Sequence, residues 1–268
     1  MRKNDLYNLT KDALFYWFLI LFISLFFFYL TTINVSKRLL ISVGVLNVII
    51  LQTWFLKTFL LYSGRKISQY SEVIQRISFK DRVFEYFILP AIYLSTFMTF
   101  LYFNKDETMS YWMISLCMGI LLILFVNIKS SLNKYYQLSS LTKGIFDFVC
   151  IITFYLSINV LFRFDINILG ILFLVGGLAM IMFISVLQLH DRLTFTSLFL
   201  SLISSIIVSL SIGIFIYQSI FVATAIGTLA FYIVISLWNI RFSGKYKFID
   251  YLNPLLYGAI ALILIFNL

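Results

Sequence analysis

Apolar positions in this chain come in long unbroken runs, and polar positions fall in short clusters between them. An α-helix rises about 1.5 Å per residue, so roughly 20 apolar residues cross a 30 Å hydrocarbon core. Nine runs reach that length, near 13–32, 39–62, 83–103, 111–128, 145–162, 166–188, 193–217, 219–238 and 250–267. The stretch 193–238 is too long for one span and is interrupted only near Gln218, so it divides there. The pattern predicts an all-α fold, a polytopic integral membrane helix bundle forming a single transmembrane domain over 1–268. The loops are too short to carry a soluble domain. The first run is too long for the apolar segment of a removable signal, so it is read as a retained span.

One loop has a pattern of its own. In 63–82, Ile67, Tyr70, Ile74 and Ile77 are spaced three, four and three apart, which places them on one face of a helix. Arg65, Lys66, Gln69, Glu72, Gln75 and Arg76 fall mostly elsewhere. The segment is expected to be an amphipathic helix on the cytoplasmic leaflet. It would draw anionic lipid at about 1 kcal/mol per basic residue near the surface, or present a docking ridge to a protein partner.

Within the spans a second periodicity appears. Ser197, Ser201, Ser205, Ser209 and Gly213 recur every four residues in the seventh, and Ser219, Ala223 and Gly227 continue that spacing in the eighth. Small residues at this interval let two helix backbones approach closely, and serines can hydrogen-bond between helices. A tight turn near Gln218 would fold the two spans into a hairpin.

Composition agrees with the pattern: 62% of residues are hydrophobic and only 12% charged. That excludes an ordinary soluble domain and a disordered chain. The net charge of +9 would suggest nucleic acid in a soluble protein. Here it reports sidedness, because basic residues collect on the cytoplasmic side of membrane proteins. With the N-terminus inside, sixteen basic residues fall in inner segments, among them Arg65, Lys66, Arg76, Lys129, Arg192 and Arg241. Four fall outside: Lys37, Arg38, Lys105 and Arg163. Nine spans therefore put the C-terminus outside. Tyrosines and tryptophans such as Tyr16, Trp17, Tyr62, Tyr111, Trp112 and Trp238 gather near span ends as interfacial anchors.

No ionisable residue falls at a predicted midplane. A charge there costs about 2.5–3.5 kcal/mol on insertion scales and is kept mainly for ion or proton work. Its absence argues against a proton pump, a voltage sensor or a proton-coupled carrier. Two cysteines, Cys117 and Cys150, and one histidine, His190, cannot build a disulfide framework or a His-rich metal site. Cys117 and Cys150 are expected not to bridge. Glu85 and Asp147 stand one step inside helix starts, where a carboxylate favours the helix dipole. Asn47, Gln52 and Asn159 are buried amides in need of partners. His190-Asp191-Arg192 is the one compact polar cluster on an otherwise bare inner turn, and would contact a lipid headgroup or simply be solvated. No Walker loop or Gly-x-Gly-x-x-Gly turn is present.

Nine spans with polar inner loops after spans two and six resemble the plan of UbiA-type intramembrane prenyltransferases. Those enzymes hold magnesium on a prenyl diphosphate with paired aspartate-rich motifs in the same two loops. Here the loops carry Glu72 and Asp81, and Asp191 alone, with spacing that matches neither motif. The resemblance is one of topology and carries no catalytic residue across.

The sequence is thus read first as a non-catalytic, multi-pass subunit of the cell membrane. It is permease-like or an assembly component, handles a hydrophobic or amphipathic, lipid-like substrate, and contacts membrane lipid and a protein partner. That reading needs no metal or cofactor. The second reading is a UbiA-like prenyl or lipid transferase with degenerate aspartate motifs, which would use magnesium.

Overall fold

Long apolar runs without an interior break have one way to satisfy their backbone in lipid, which is to close every hydrogen bond within a helix. The computed structural model of the chain obeys this. It describes residues 3–62, 64–66, 74–76, 79, 82–133, 140–189, 194–243 and 247–267. Among them are nine helices long and apolar enough to span a membrane, so the protein is a multi-pass, all-α membrane protein. The chain divides into two units, Met1–Ile145 and Phe146–Leu268.

The first unit contains α1 (Lys3–Thr32), α2 (Lys37–Tyr62), α3 (Leu89–Phe103) and α4 (Glu107–Asn133). The turn from α1 to α2 passes through Asn34, whose φ of 52° is left-handed, a conformation asparagine tolerates better than most residues. Asp106 caps α4, its Oδ1 accepting from the Met109 N–H at 3.1 Å. Leu51, Trp54, Tyr93, Leu94 and Phe97 are buried, and Trp54 stacks on Phe125 with ring centroids 4.3 Å apart. Two of the three amides expected to need partners lie here and find acceptors for their NH2 groups, although Asn47 Oδ1 meets no donor among the described residues. Asn47 donates to Ser24 Oγ at 3.0 Å, and Gln52 donates to the Phe87 carbonyl at 2.9 Å. Trp17 Nε1 ties α1 to α4 through the Met118 carbonyl at 3.0 Å.

Two features of this unit depart from the pattern reading. A π-helical turn, Phe84–Ile88, precedes α3. Pro90 lacks an N–H and its ring crowds the carbonyl four residues back, which favours a wider turn just before it. The amphipathic helix expected over 63–82 is also replaced where residues are described. Gly64–Lys66 (β1) pairs antiparallel with Ile74–Arg76 (β2), with Arg65 opposite Gln75. Four apolar positions are too few to specify a helix, and Gly64 is a poor helix residue at its start.

The second unit holds most of α5 (Ser140–Leu161), with α6 (Ile168–Leu189), α7 (Phe195–Ile214), α8 (Ile220–Ser243) and α9 (Phe248–Asn267). The division in 193–238 falls between Ile214 and Ile220, and α8 runs five residues past its expected end. Polar side chains cap the starts. Asn167 Oδ1 accepts from Gly170 N–H at 2.7 Å, and Thr194 with Ser197 forms a capping box on α7. Phe231 is fully buried and contacts Phe154 and Phe183, with ring centroids 4.4 and 4.8 Å away. Of the nine spans α9 buries the least, and its Leu255, Leu256, Ile260 and Ile263 are exposed. In a membrane such faces meet acyl chains.

Candidate functional site: a polar cleft between α8 and α9

Helices α8 and α9 touch where Gly258 leaves no side chain. A Cβ there would come within 2.7 Å of Ile233 Cδ1. Between that contact and the helix ends the two helices enclose an open cleft of about 530 Å³. From α8 it is lined by Tyr232, Ser236, Asn239 and Ile240, and from α9 by Asp250, Asn253, Pro254 and Tyr257. The spacings are those of one helix face on each side. Two polar stripes thus meet inside spans that are otherwise apolar.

Three details shape the cleft. Asn239 Nδ2 donates to Asp147 Oδ2 on α5 at 2.6 Å, and Asp147 is only 8% exposed. The carboxylate read as a helix-start charge is therefore the anchor that fixes the Asn239 amide. Asn239 Oδ1 is enclosed and meets no hydrogen-bond donor among the described residues. Asp250 Oδ2 accepts from the Lys247 N–H at 2.7 Å and so caps α9. Pro254 stands inside α9 and has no N–H to offer the Asp250 carbonyl, which loses its usual partner one turn on. Among the described residues the lining contains hydroxyls, amides and one carboxylate, and no Lys, Arg or His.

None of the described site residues anticipated from sequence lines this cleft. Arg65, Lys66, Ile74 and Arg76 are in the β1–β2 ribbon. Ile67, Tyr70 and Ile77 lie outside the described residues, as do His190, Asp191 and Arg192. So do Glu72 and Asp81, the carboxylates that the transferase resemblance would use.

The small-residue seam is partly a packing face and partly two helix caps. Ser201, Ser205, Ser209 and Ala223 are buried. Ser209 Oγ donates to the Leu172 carbonyl at 2.7 Å, and a Cβ on Gly213 would lie 3.4 Å from Leu172, so the main partner of this face is α6 and not the hairpin neighbour α8. Gly227 brings α8 against Ile212 of α7, where an added Cβ would overlap, and 3.2 Å from Ile158 Cδ1 on α5. Ser197 is the third helical residue in the α7 capping box, accepting from the Thr194 N–H, and Ser219 is the N-cap of α8, accepting from the Val222 N–H.

Two polar groupings occur in the first unit. Lys57 Nζ pairs with Asp12 Oδ2 at 2.8 Å beside Tyr16 and Trp54. Trp54 Nε1 is buried with no acceptor among the described residues. Glu85, 1% exposed, accepts from Arg82 at 3.2 Å in the π turn. Neither cysteine is in a disulfide, and both are buried. Among the described residues no three His, Cys, Asp or Glu side chains cluster as metal ligands would.

The cleft was not anticipated. Its signal is faint: Tyr232, Ser236 and Asn239 on one helix and Asp250, Asn253 and Tyr257 on the next share a helical period. Each is isolated among apolar neighbours, so no local average of hydropathy marks them. No family model, curated protein or solved structure matches this chain.

Proposed function

We propose that the chain is a non-catalytic, permease-like or assembly subunit of the cell membrane, which handles a lipid-like substrate together with a protein partner. One observation carries the reading. A polar cleft opens within the membrane-spanning helices of the second unit, beside the exposed apolar face of α9. An amphipathic molecule matches this setting, its head hydrogen-bonded in the cleft and its tail in the acyl region beside it, where Ile260 of α9 is exposed. Pockets that take small ligands span about 300–1,000 Å³, and this one, at about 530 Å³, falls within that range. The excess of basic residues in alternate loops supports insertion in a membrane with those loops on the cytoplasmic side.

The test is photo-crosslinking in lipid nanodiscs. A lipid with a photoreactive group near its head should label peptides from α8 and α9 above all other spans. Uniform labelling of every exposed helix would overturn the reading.

A further inference from the structure

We propose that the α8–α9 cleft takes an uncharged polyhydroxyl headgroup, such as a sugar, and this inference rests on the amphipathic-substrate reading above. The cleft begins at the end of α8 and the start of α9. It reaches Tyr232 and Tyr257, each roughly ten residues inward from those helix ends, which is about 13–17 Å at 1.5 Å per residue. That is close to half of a 30 Å hydrocarbon core. At such depth a charged head needs a partner of opposite sign.

For an anionic phosphate the deep part of the lining offers none, because among the described residues it holds no basic side chain. For an ammonium it has only Asp250, which sits at the shallow end with one oxygen engaged by the Lys247 N–H. The deeper groups are neutral. Tyr232, Ser236 and Tyr257 each offer a hydroxyl that donates and accepts, and Asn253 offers an amide that does both. The Asp250 carbonyl, released by Pro254, adds an acceptor. A ring of hydroxyls both donates and accepts at each position, so it pairs with all of these without burying charge.

The experiment uses the full chain in phosphatidylcholine nanodiscs with a photoreactive glucosyl diacylglycerol as probe, and labelled peptides are mapped by mass spectrometry. Labelling should centre on α8 and α9 and fall when unlabelled glucosyl diacylglycerol is added, while equal phosphatidylethanolamine or phosphatidylglycerol leaves it in place. Ser236→Ala with Tyr257→Phe removes two hydroxyls and keeps the volume. That pair should weaken competition about tenfold, which corresponds to the loss of roughly two hydrogen bonds. If free glucose competes as well as the lipid, the polyol chemistry stands and its source is soluble. If phosphatidylethanolamine competes equally, the polyhydroxyl class is wrong and the amphipathic-substrate reading survives. If no lipid of any headgroup labels the cleft, both fall.

Discussion

Asp147 and Glu85 place carboxylates at 8% and 1% exposure, in a protein whose surroundings offer even less water than usual. A buried hydrogen bond to a charged group contributes about 1.5–3 kcal/mol, more than one between neutral groups. Asn239→Leu removes the amide 2.6 Å from Asp147 Oδ2 and is expected to destabilise the second unit by about that amount, read as a lower unfolding temperature in detergent. Asp147→Ala combined with Asn239→Leu should recover part of the loss, since both members of the pair are then apolar. Two ion pairs among the described residues of the first unit should differ in the same assay. Arg82→Met takes the guanidinium from the buried Glu85 and should cost on the order of 3 kcal/mol. Lys57→Met breaks a pair whose side chains are about half exposed, and should shift the transition far less. Glu85 was legible as a helix-start residue, but Asp147 was misplaced there, because α5 begins at Ser140, two turns before it. Asn239 was not legible as a partner, because it lies 92 positions from Asp147 and only the tertiary fold joins them.

At the scale of helices, four-residue spacing identified a face but not what the face meets. Ser201 and Ser205 spend their hydroxyls on their own helix, donating to the Leu198 and Leu202 carbonyls at 2.7 and 2.8 Å. Only Ser209 reaches across, to Leu172 on α6. Their small volume therefore matters more than their polarity. Ser205→Ala should be nearly neutral, and Ser209→Ala should cost about 0.6 kcal/mol, the mean for an interhelical bond in a membrane. Ser205→Leu and Gly227→Val overfill buried contacts and should each cost about 1–3 kcal/mol. Reversible unfolding in mixed micelles orders the four variants. If Ser205→Ala proved as harmful as Ser205→Leu, hydrogen bonding and not packing would govern this face. The helices themselves were readable because length and apolarity are local quantities. The π turn had a local cue in Pro90, and the ribbon had only Gly64, too slight to displace a helical period.

For the whole molecule, the apolar faces that remain exposed and the basic segments between helices make two further statements. If the inner loop docks a partner, serine at Ile67, Tyr70, Ile74 and Ile77 should release a co-purified protein while the bundle keeps its unfolding temperature; unchanged co-purification would oppose a docking role for that loop. The second statement concerns direction across the bilayer. Helices α7 and α8 are separate, ending at Ile214 and beginning at Ile220, so the span count is odd and the two ends of the described chain should face opposite compartments. The charge distribution then selects the inner end. Lys105 and Arg163 stand in connections with few basic residues, whereas Lys129, Arg241 and Lys247 stand in connections with several. Cysteine placed at residue 105 should react with an impermeant maleimide in intact cells, and cysteine at residue 247 only after permeabilisation. The native Cys117 and Cys150 are buried, so their background should be low. Equal labelling at both positions in intact cells would break the alternation. The mouth of the α8–α9 cleft, at the 240–250 connection, would then lose its assignment to the cytoplasmic leaflet, from which a headgroup would have to enter.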